Sequence, residues 1–255
     1  MKPLGQDEIH IHLLWVDENQ PVANTAWLDA AERQRAHAFH RLQDQKLYTA
    51  AHVFLRQVLS YYADIPPADW QFHTQTCGKP MIANSAYRWL QFNLSHTTGL
   101  VACAVTRERV IGVDVEQSKP IADLADLTAY AFSPTEASDV LNLSAKEQQA
   151  RFFSYWTLKE AYLKATGQGL QLPLQSFAFV QDNQGYWHWQ GRKETFQYGQ
   201  HWQANTCQLP RDYYLAYCVQ TVCLANQVLT VWVTDSNSCT KLCWNDALLI
   251  TPISC

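Results

Sequence analysis

The sequence predicts an α+β fold, and three observations carry that prediction. Segments with strand alternation and segments with helical periodicity follow one another without a regular βαβ rhythm. Strand-like segments dominate after Gly167 and Gly169. No Pro/Gly/Ser-rich linker divides the 255 residues, 47% of them hydrophobic, so the chain can bury a large core as one domain or as two tightly packed halves.

Ile9, Ile11, Leu13 and Trp15 alternate, so residues 9–16 read as a strand. Residues 27–40 are helical in composition, with Arg33, Arg35 and Arg41 near the end. Asp44 is a candidate cap for a second helix that runs to about Ala63 on an apolar stripe through Leu47, Ala51, Phe54, Leu55, Val58, Leu59 and Tyr62. Ile65-Pro66-Pro67 stops it. Residues 70–72 and 89–94 are short strand candidates, separated by a turn at Cys77-Gly78-Lys79-Pro80. Residues 99–106 and 110–116 are expected to form a hairpin around Arg107-Glu108-Arg109. Helical texture returns over 134–143 and 146–165, and Gly167 and Gly169 close the second of these. Five strands are then expected, at 176–180, 186–190, 196–203, 213–219 and 228–234, with a turn at Asn183-Gln184-Gly185. No internal repeat is visible.

A net charge of −4 argues against a general nucleic-acid binder. The first residues lack a basic flank followed by a long apolar run, and no apolar stretch approaches the ~20 residues of a membrane span. A cytoplasmic protein without membrane or nucleic-acid partners is therefore expected. The eight cysteines form no Cys-x-x-Cys pair and read as reduced thiols rather than zinc ligands. His37 and His40 read as surface histidines of a helix rather than metal ligands.

The chemistry concentrates in two segments. In Ile111-Gly112-Val113-Asp114-Val115-Glu116 a strand puts Ile111, Val113 and Val115 on one face and both carboxylates on the other. In Trp156-Thr157-Leu158-Lys159-Glu160-Ala161-Tyr162-Leu163-Lys164 a helix puts Trp156, Glu160 and Lys164 on one face. If the two meet, Asp114, Glu116 and Glu160 converge beside Lys159 and Lys164. Three carboxylates that close repel one another, and a hard divalent cation such as Mg2+ relieves the repulsion while leaving positions for phosphate. Each segment alone has an ordinary reading, as the solvated face of an edge strand and as an i, i+4 helix pair. Trp156 reads as packing, on a stripe with Phe152, Phe153 and Tyr155.

Taken together, the two segments resemble the 4′-phosphopantetheinyl transferases of the surfactin-synthetase-activating (Sfp) type. Gly78-Lys79-Pro80, Phe92-Asn93-Leu94-Ser95-His96, Phe132-Ser133-Pro134-Thr135-Glu136 and Gly169-Leu170 support the resemblance, which runs from about Ala31 to Val180. It implies two similar α+β halves related by a pseudo-twofold, here residues 1–106 and 107–234, with 235–255 a tail of unassigned role. It implies Mg2+-dependent transfer of the 4′-phosphopantetheine arm of coenzyme A to a serine of an apo acyl or peptidyl carrier protein. Adenosine 3′,5′-bisphosphate is released, and the enzyme is expected to be a monomer.

By the same resemblance Asp114, Glu116 and Glu160 are the metal acids, and Glu160, Lys164 and Glu116 carry the catalysis. Lys159 and Lys164 lie near the coenzyme A phosphates, as do Ser95, His96 and Lys79. Of the N-terminal basic residues, Arg35 and Lys46 are the chosen phosphate contacts. The ordinary readings remain an exposed turn lysine at Lys79, a core histidine at His96 and a solvated helix face for the arginines. Ser133-Pro134-Thr135-Glu136 fits a capping box, so Glu136→Gln is expected to leave stability and turnover intact; the rival role that the resemblance implies, general base or an aid to substrate placement, would instead cost turnover ~10²–10⁴-fold with little change in melting temperature. Two rivals of other classes are a metal-dependent nuclease built on Asp114, Glu116 and Lys119, and a non-catalytic module using the ten tryptophans as stacking platforms.

Overall fold

The computed structural model describes residues 3–74, 78–183, 185, 187–191, 201–221, 230–235, 238–243 and 251–252. In chain order the elements are β1 (Glu8–Trp15), α1 (Ala30–His37), α2 (Leu42–Tyr62), β2 (Phe72–Thr74), β3 (Pro80–Ile82), β4 (Leu90–Thr97), β5 (Leu100–Arg107) and β6 (Ile111–Gln117). Then come α3 (Leu124–Ala131), α4 (Pro134–Leu141), α5 (Ala145–Thr166), β7 (Phe177–Gln181), β8 (Trp187–Gly191), β9 (His201–Leu209) and β10 (Tyr213–Thr221). The last are β11 (Thr230–Asp235), β12 (Ser238–Cys243) and β13 (Thr251–Pro252). Helices and mostly antiparallel sheets are mixed as expected of an α+β fold.

Two compact units divide the chain: Met1–Glu108 with Val228–Cys255, and Arg109–Gln227. The second thus ends before β11, whereas the sequence reading carried it to residue 234. The reason is backbone pairing, since β11 lies parallel to β1 with Thr230 opposite Glu8. The 235–255 segment likewise contributes β12 and β13 to the first unit's sheet.

The first unit's sheet runs β13-β12-β11-β1-β5-β4. Its core gathers Phe54, Leu55, Val58, Leu59 and Tyr62 of α2 against Phe92, Val101, Cys103 and Val105 of the sheet. The Tyr62 hydroxyl also meets His10 Nδ1 at 2.7 Å and His12 Nε2 at 2.6 Å, which ties the end of α2 to β1. An Asp29–Glu32 capping box starts α1. Glu32 then reaches α2, where the fully buried Arg56 binds it through Nε at 3.0 Å and Nη2 at 2.7 Å. Arg56 Nη1 donates to the Pro67 and Trp70 carbonyls, so the guanidinium enters the core fully hydrogen-bonded. Asp44 sits in the first turn of α2, whose N-cap is Arg41.

The second unit's sheet runs β6-β10-β9-β8-β7 and is antiparallel throughout. The 22-residue α5 crosses it, touching β6, β10, β9 and β7. Phe152, Tyr155, Leu158, Tyr162 and Leu163 of α5 build the core with Phe177, Phe179 and Trp187. Gly167 ends the helix at φ 68°, in the left-handed region that glycine enters at least cost.

The expected hairpin of residues 99–116 does not form. β5 pairs with β4 and β1, while β6 pairs with β10 in the other sheet. The Glu108 amide donates to the Trp89 carbonyl at 2.7 Å, and Glu108 has φ 57°. Two residues on, the Val110 carbonyl accepts from Gln220 at 2.9 Å. The short connector therefore passes the chain between sheets. The real hairpin is β4–β5, closed by Thr98-Gly99 with Gly99 at φ 77°. Four elements carry no expectation from the sequence: α3 and the short strands β3, β12 and β13. Cys77, Gln184, Tyr186 and residues 196–200 and 228–229, part of the expected turns and strands, lie outside the described residues.

Among the described residues no helix is long and apolar enough to cross a membrane. Cys103, Cys207 and Cys218 are free thiols, and burial raises the pKa of Cys103 and, to about 12, that of Cys207.

Candidate active site

The site grows from one close approach. A Cβ at Gly112 would overlap the Ala161 carbonyl oxygen and sit 2.5 Å from the Ala165 amide nitrogen. The backbone of β6 therefore lies directly on α5, which only glycine permits. Because strand side chains alternate, Asp114 and Glu116 share the Gly112 face and are carried toward the helix. On α5, Glu160 and Lys164 are one turn apart, beside the Ala161–Ala165 contact.

Asp114 is 2% exposed, although β6 is an edge strand. Lys164 Nζ donates to its Oδ1 at 2.5 Å. Glu160 is half-buried, and its carboxyl pKa is raised by burial first and by the Asp114 carboxylate second, with Lys164 opposing. The edge-strand reading of Asp114 as a solvated residue is thus replaced by a buried carboxylate bonded to Lys164, with the half-buried Glu160 within electrostatic reach of both. Glu116 is half-buried two residues along the same face. The donors are hard oxygens, the chemistry that suits Mg2+. Among the described residues no three Asp, Glu, His or Cys side chains stand at metal-ligand spacing, and Lys164 supplies the positive charge at Asp114.

Lys159 is not part of this cluster. It is fully buried on another face of α5, with Nζ 2.8 Å from Glu136 Oε2 and donating at 2.7 Å to each of the Leu174 and Phe177 carbonyls. It also lies 4.3 Å from the centre of the Phe177 ring. Burial lowers its pKa, and Glu136 opposes that. Consecutive helix residues point about 100° apart, which is why Lys159 and Glu160 serve different surroundings. The phosphate role expected of Lys159 is corrected accordingly.

The Ser133–Glu136 capping box forms as expected. Glu136 does more, since its Oε1 accepts from the Phe179 amide at 2.9 Å while Oε2 faces Lys159. Replacement by glutamine would remove the counter-charge of a buried ammonium, so the expected tolerance of Glu136→Gln does not follow from this geometry. Trp156 packs as expected, stacked on Phe152 with centroids 6.0 Å apart.

The remaining candidates lie in the first unit. Ser95 and His96 are neighbours on β4 and point to opposite faces: Ser95 is buried and His96 exposed, so the pair is split and His96 is no core histidine. Lys79 is half-buried next to Gly78, which has φ 90°. Lys46 donates to the Glu18 carbonyl at 2.7 Å. Arg35 is exposed and lies 5.4 Å over the Phe39 ring. Lys119, offered for a nuclease, is exposed beyond the end of β6.

Two features of the site were missed in the sequence, the Gly112 contact and the Glu136–Lys159 pair. A signal existed for the second. Lys159 falls four residues after Tyr155 and seven after Phe152, both on the buried stripe of α5.

Comparison with known proteins identifies the family. Residues 110–218 match the 4′-phosphopantetheinyl transferase superfamily, and residues 16–108 match the family described as 4′-phosphopantetheinyl transferase, N-terminal. The 4′-phosphopantetheinyl transferase HetI of Nostoc sp. is 38% identical over 170 residues, 66% of this chain and 72% of that protein. The 4′-phosphopantetheinyl transferase Sfp of Bacillus subtilis is 33% identical over 153 residues, 60% of this chain and 66% of that protein. A solved holo-(acyl-carrier-protein) synthase from Bacillus anthracis aligns more weakly, at 17% identity and a TM-score of 0.38 over 44% of this chain and 96% of its own. Two halves of one family, met in order along a single chain, define the class as a transferase. The chain belongs to the 4′-phosphopantetheinyl transferase family, of the Sfp type.

Proposed function

We propose that this protein transfers the 4′-phosphopantetheine group of coenzyme A to a serine hydroxyl of an apo acyl or peptidyl carrier protein, with Mg2+. The observation that carries the reading is the buried Asp114, held against Glu160 and bonded to Lys164 at 2.5 Å on a strand that only glycine lets so near the helix. Such a cluster is costly to fold and makes sense as preorganised electrostatics.

In the reaction the serine oxygen forms a bond to the β-phosphorus of the coenzyme A pyrophosphate. The bond from that phosphorus to the bridging oxygen breaks, and adenosine 3′,5′-bisphosphate leaves with the electron pair. Asp114 and Glu160, with Glu116 beside them, are the residues that would hold the cation. When bound, Mg2+ supplies charge neutralisation on the pyrophosphate. Lys164, bonded to Asp114 in this structure, is the ammonium that would donate to a phosphate oxygen of coenzyme A. The serine proton goes to a carboxylate that does not hold the cation or to a water ordered in the site, since a carboxylate bound to a cation is a weaker base.

Lys79, His96, Arg35 and Lys46 are proposed as further phosphate contacts, with Ser95 retained as a backbone or hydroxyl donor. Monomeric state and cytoplasmic location belong to the same proposal. Incubation with coenzyme A, Mg2+ and an apo carrier protein, followed by intact-mass measurement of the carrier, is the test. A gain of one phosphopantetheine supports the reading; an unmodified carrier with intact coenzyme A contradicts it.

A further inference from the structure

We infer that the buried Glu136–Lys159 pair is a positioning device that sets the rotation of α5, and through it the placement of Glu160 against Asp114. The inference rests on the function proposed above and concerns residues that do not touch substrate.

The pair is saturated with hydrogen bonds. The Lys159 ammonium spends its three donors on Glu136 at 2.8 Å and on the Leu174 and Phe177 carbonyls at 2.7 Å each. Glu136 in turn accepts from Ser133 and Phe179 amides, both at 2.9 Å. Both side chains are 1% exposed. The partners belong to the start of α4, to the segment entering β7 and to β7 itself. They therefore fix α5 to the β7 edge of the sheet.

At the other edge, Gly112 of β6 lies against Ala161 and Ala165. A helix held at two opposite edges of one sheet cannot roll about its axis. With only the apolar contacts left it can, because dispersion contacts are non-directional. With side chains a helix is ~10–12 Å across, so a roll of ~20° displaces an outer carboxylate by about 2 Å. Misplacement by ~1 Å at a reacting centre can cost ~10²-fold in rate. A buried ion pair is a poor way to gain stability, since an apolar pair of similar volume usually does as well. What it does supply is direction, and the residue next in the chain is Glu160.

The test compares wild type, Glu136→Gln and the double variant Glu136→Gln/Lys159→Met, each shown by near-ultraviolet circular dichroism to be folded at the assay temperature. Two readouts are taken: kcat and KM for coenzyme A, and calorimetric titration of Mg2+ into enzyme with coenzyme A and no carrier. In Glu136→Gln, kcat falls ~10–100-fold and Mg2+ binds about tenfold more weakly, while KM for coenzyme A stays within about threefold. The double variant strands no buried charge, so its melting temperature recovers relative to Glu136→Gln, yet its kcat stays low because the tether is still missing. If Glu136→Gln does not fold, the double variant carries the same two readouts.

Folded variants with wild-type kcat and Mg2+ affinity would overturn the positioning role and leave the proposed function standing. A kcat that recovers with stability in the double variant would also overturn it. A wild-type protein unable to modify the carrier would remove the functional reading, and this inference with it.

Discussion

Lys164 answers two demands with one ammonium. In the structure it neutralises the buried Asp114, and in the proposed reaction it donates to phosphate. Lys164→Ala should therefore weaken coenzyme A binding by roughly tenfold or more, the scale of a charge-assisted hydrogen bond worth about 1.5–3 kcal/mol. Titration calorimetry with coenzyme A reads this directly, and unchanged affinity would show that Lys164 only compensates Asp114. Lys159, one step before Glu160, looked equivalent as a cation in the sequence. Its three buried partners show that a lysine's role depends on which face of the helix carries it.

At the scale of elements, the meeting of β6 and α5 creates the site. Gly112→Ala would force a methyl group into the Ala161 carbonyl. Overpacking of this kind costs about 1–3 kcal/mol, and each kcal/mol lowers the melting temperature by about 2–4 °C in a chain of this size. The helix would also be pushed off the strand, so kcat should fall further than stability alone explains. A folded Gly112→Ala protein with wild-type kcat would show that the close approach does not set the site.

The two motif-bearing elements were legible in the sequence because period-2 and period-3.6 patterns are local properties of the chain. Long helices with clear stripes, α2 and α5, came out within a few residues of their observed ends. Strand pairing was not legible. Residues 99–116 looked like a hairpin because two alternating segments stood close in sequence, and only the ladder of β6 with β10, a hundred residues on, decides otherwise. The parallel pairing of β11 with β1 is another long-range contact that no local pattern announces. Ser95 and His96 illustrate a smaller limit, since a motif read as a unit was split across the two faces of β4.

For the molecule as a whole, each unit has its own core and its own buried ion pair: Glu32–Arg56 in the first, Glu136–Lys159 in the second. Glu32 sets a pH limit on the first. Burial pushes its carboxyl up, but hydrogen bonds from His52 and Arg56 win and hold it below its ordinary value of 4.5. A depressed folded pKa contributes stability above the unfolded value and loses it as pH falls through the folded one. Thermal stability should therefore drop as pH falls below about 4.5, and Glu32→Gln should flatten that part of the profile. A variant whose acid limb is as steep as wild type would show that other carboxylates control it.

The account stands most directly on Asp114, the one fully buried acid of the proposed site. The decisive measurement is the rate of carrier modification by Asp114→Asn at saturating Mg2+ and coenzyme A, with folding verified at the assay temperature. Asparagine keeps the shape and removes the charge that Mg2+ and Lys164 require. The account predicts a loss of ~10²-fold or more, the scale of removing one preorganised electrostatic group. A folded Asp114→Asn protein that modifies the carrier at the wild-type rate would contradict it.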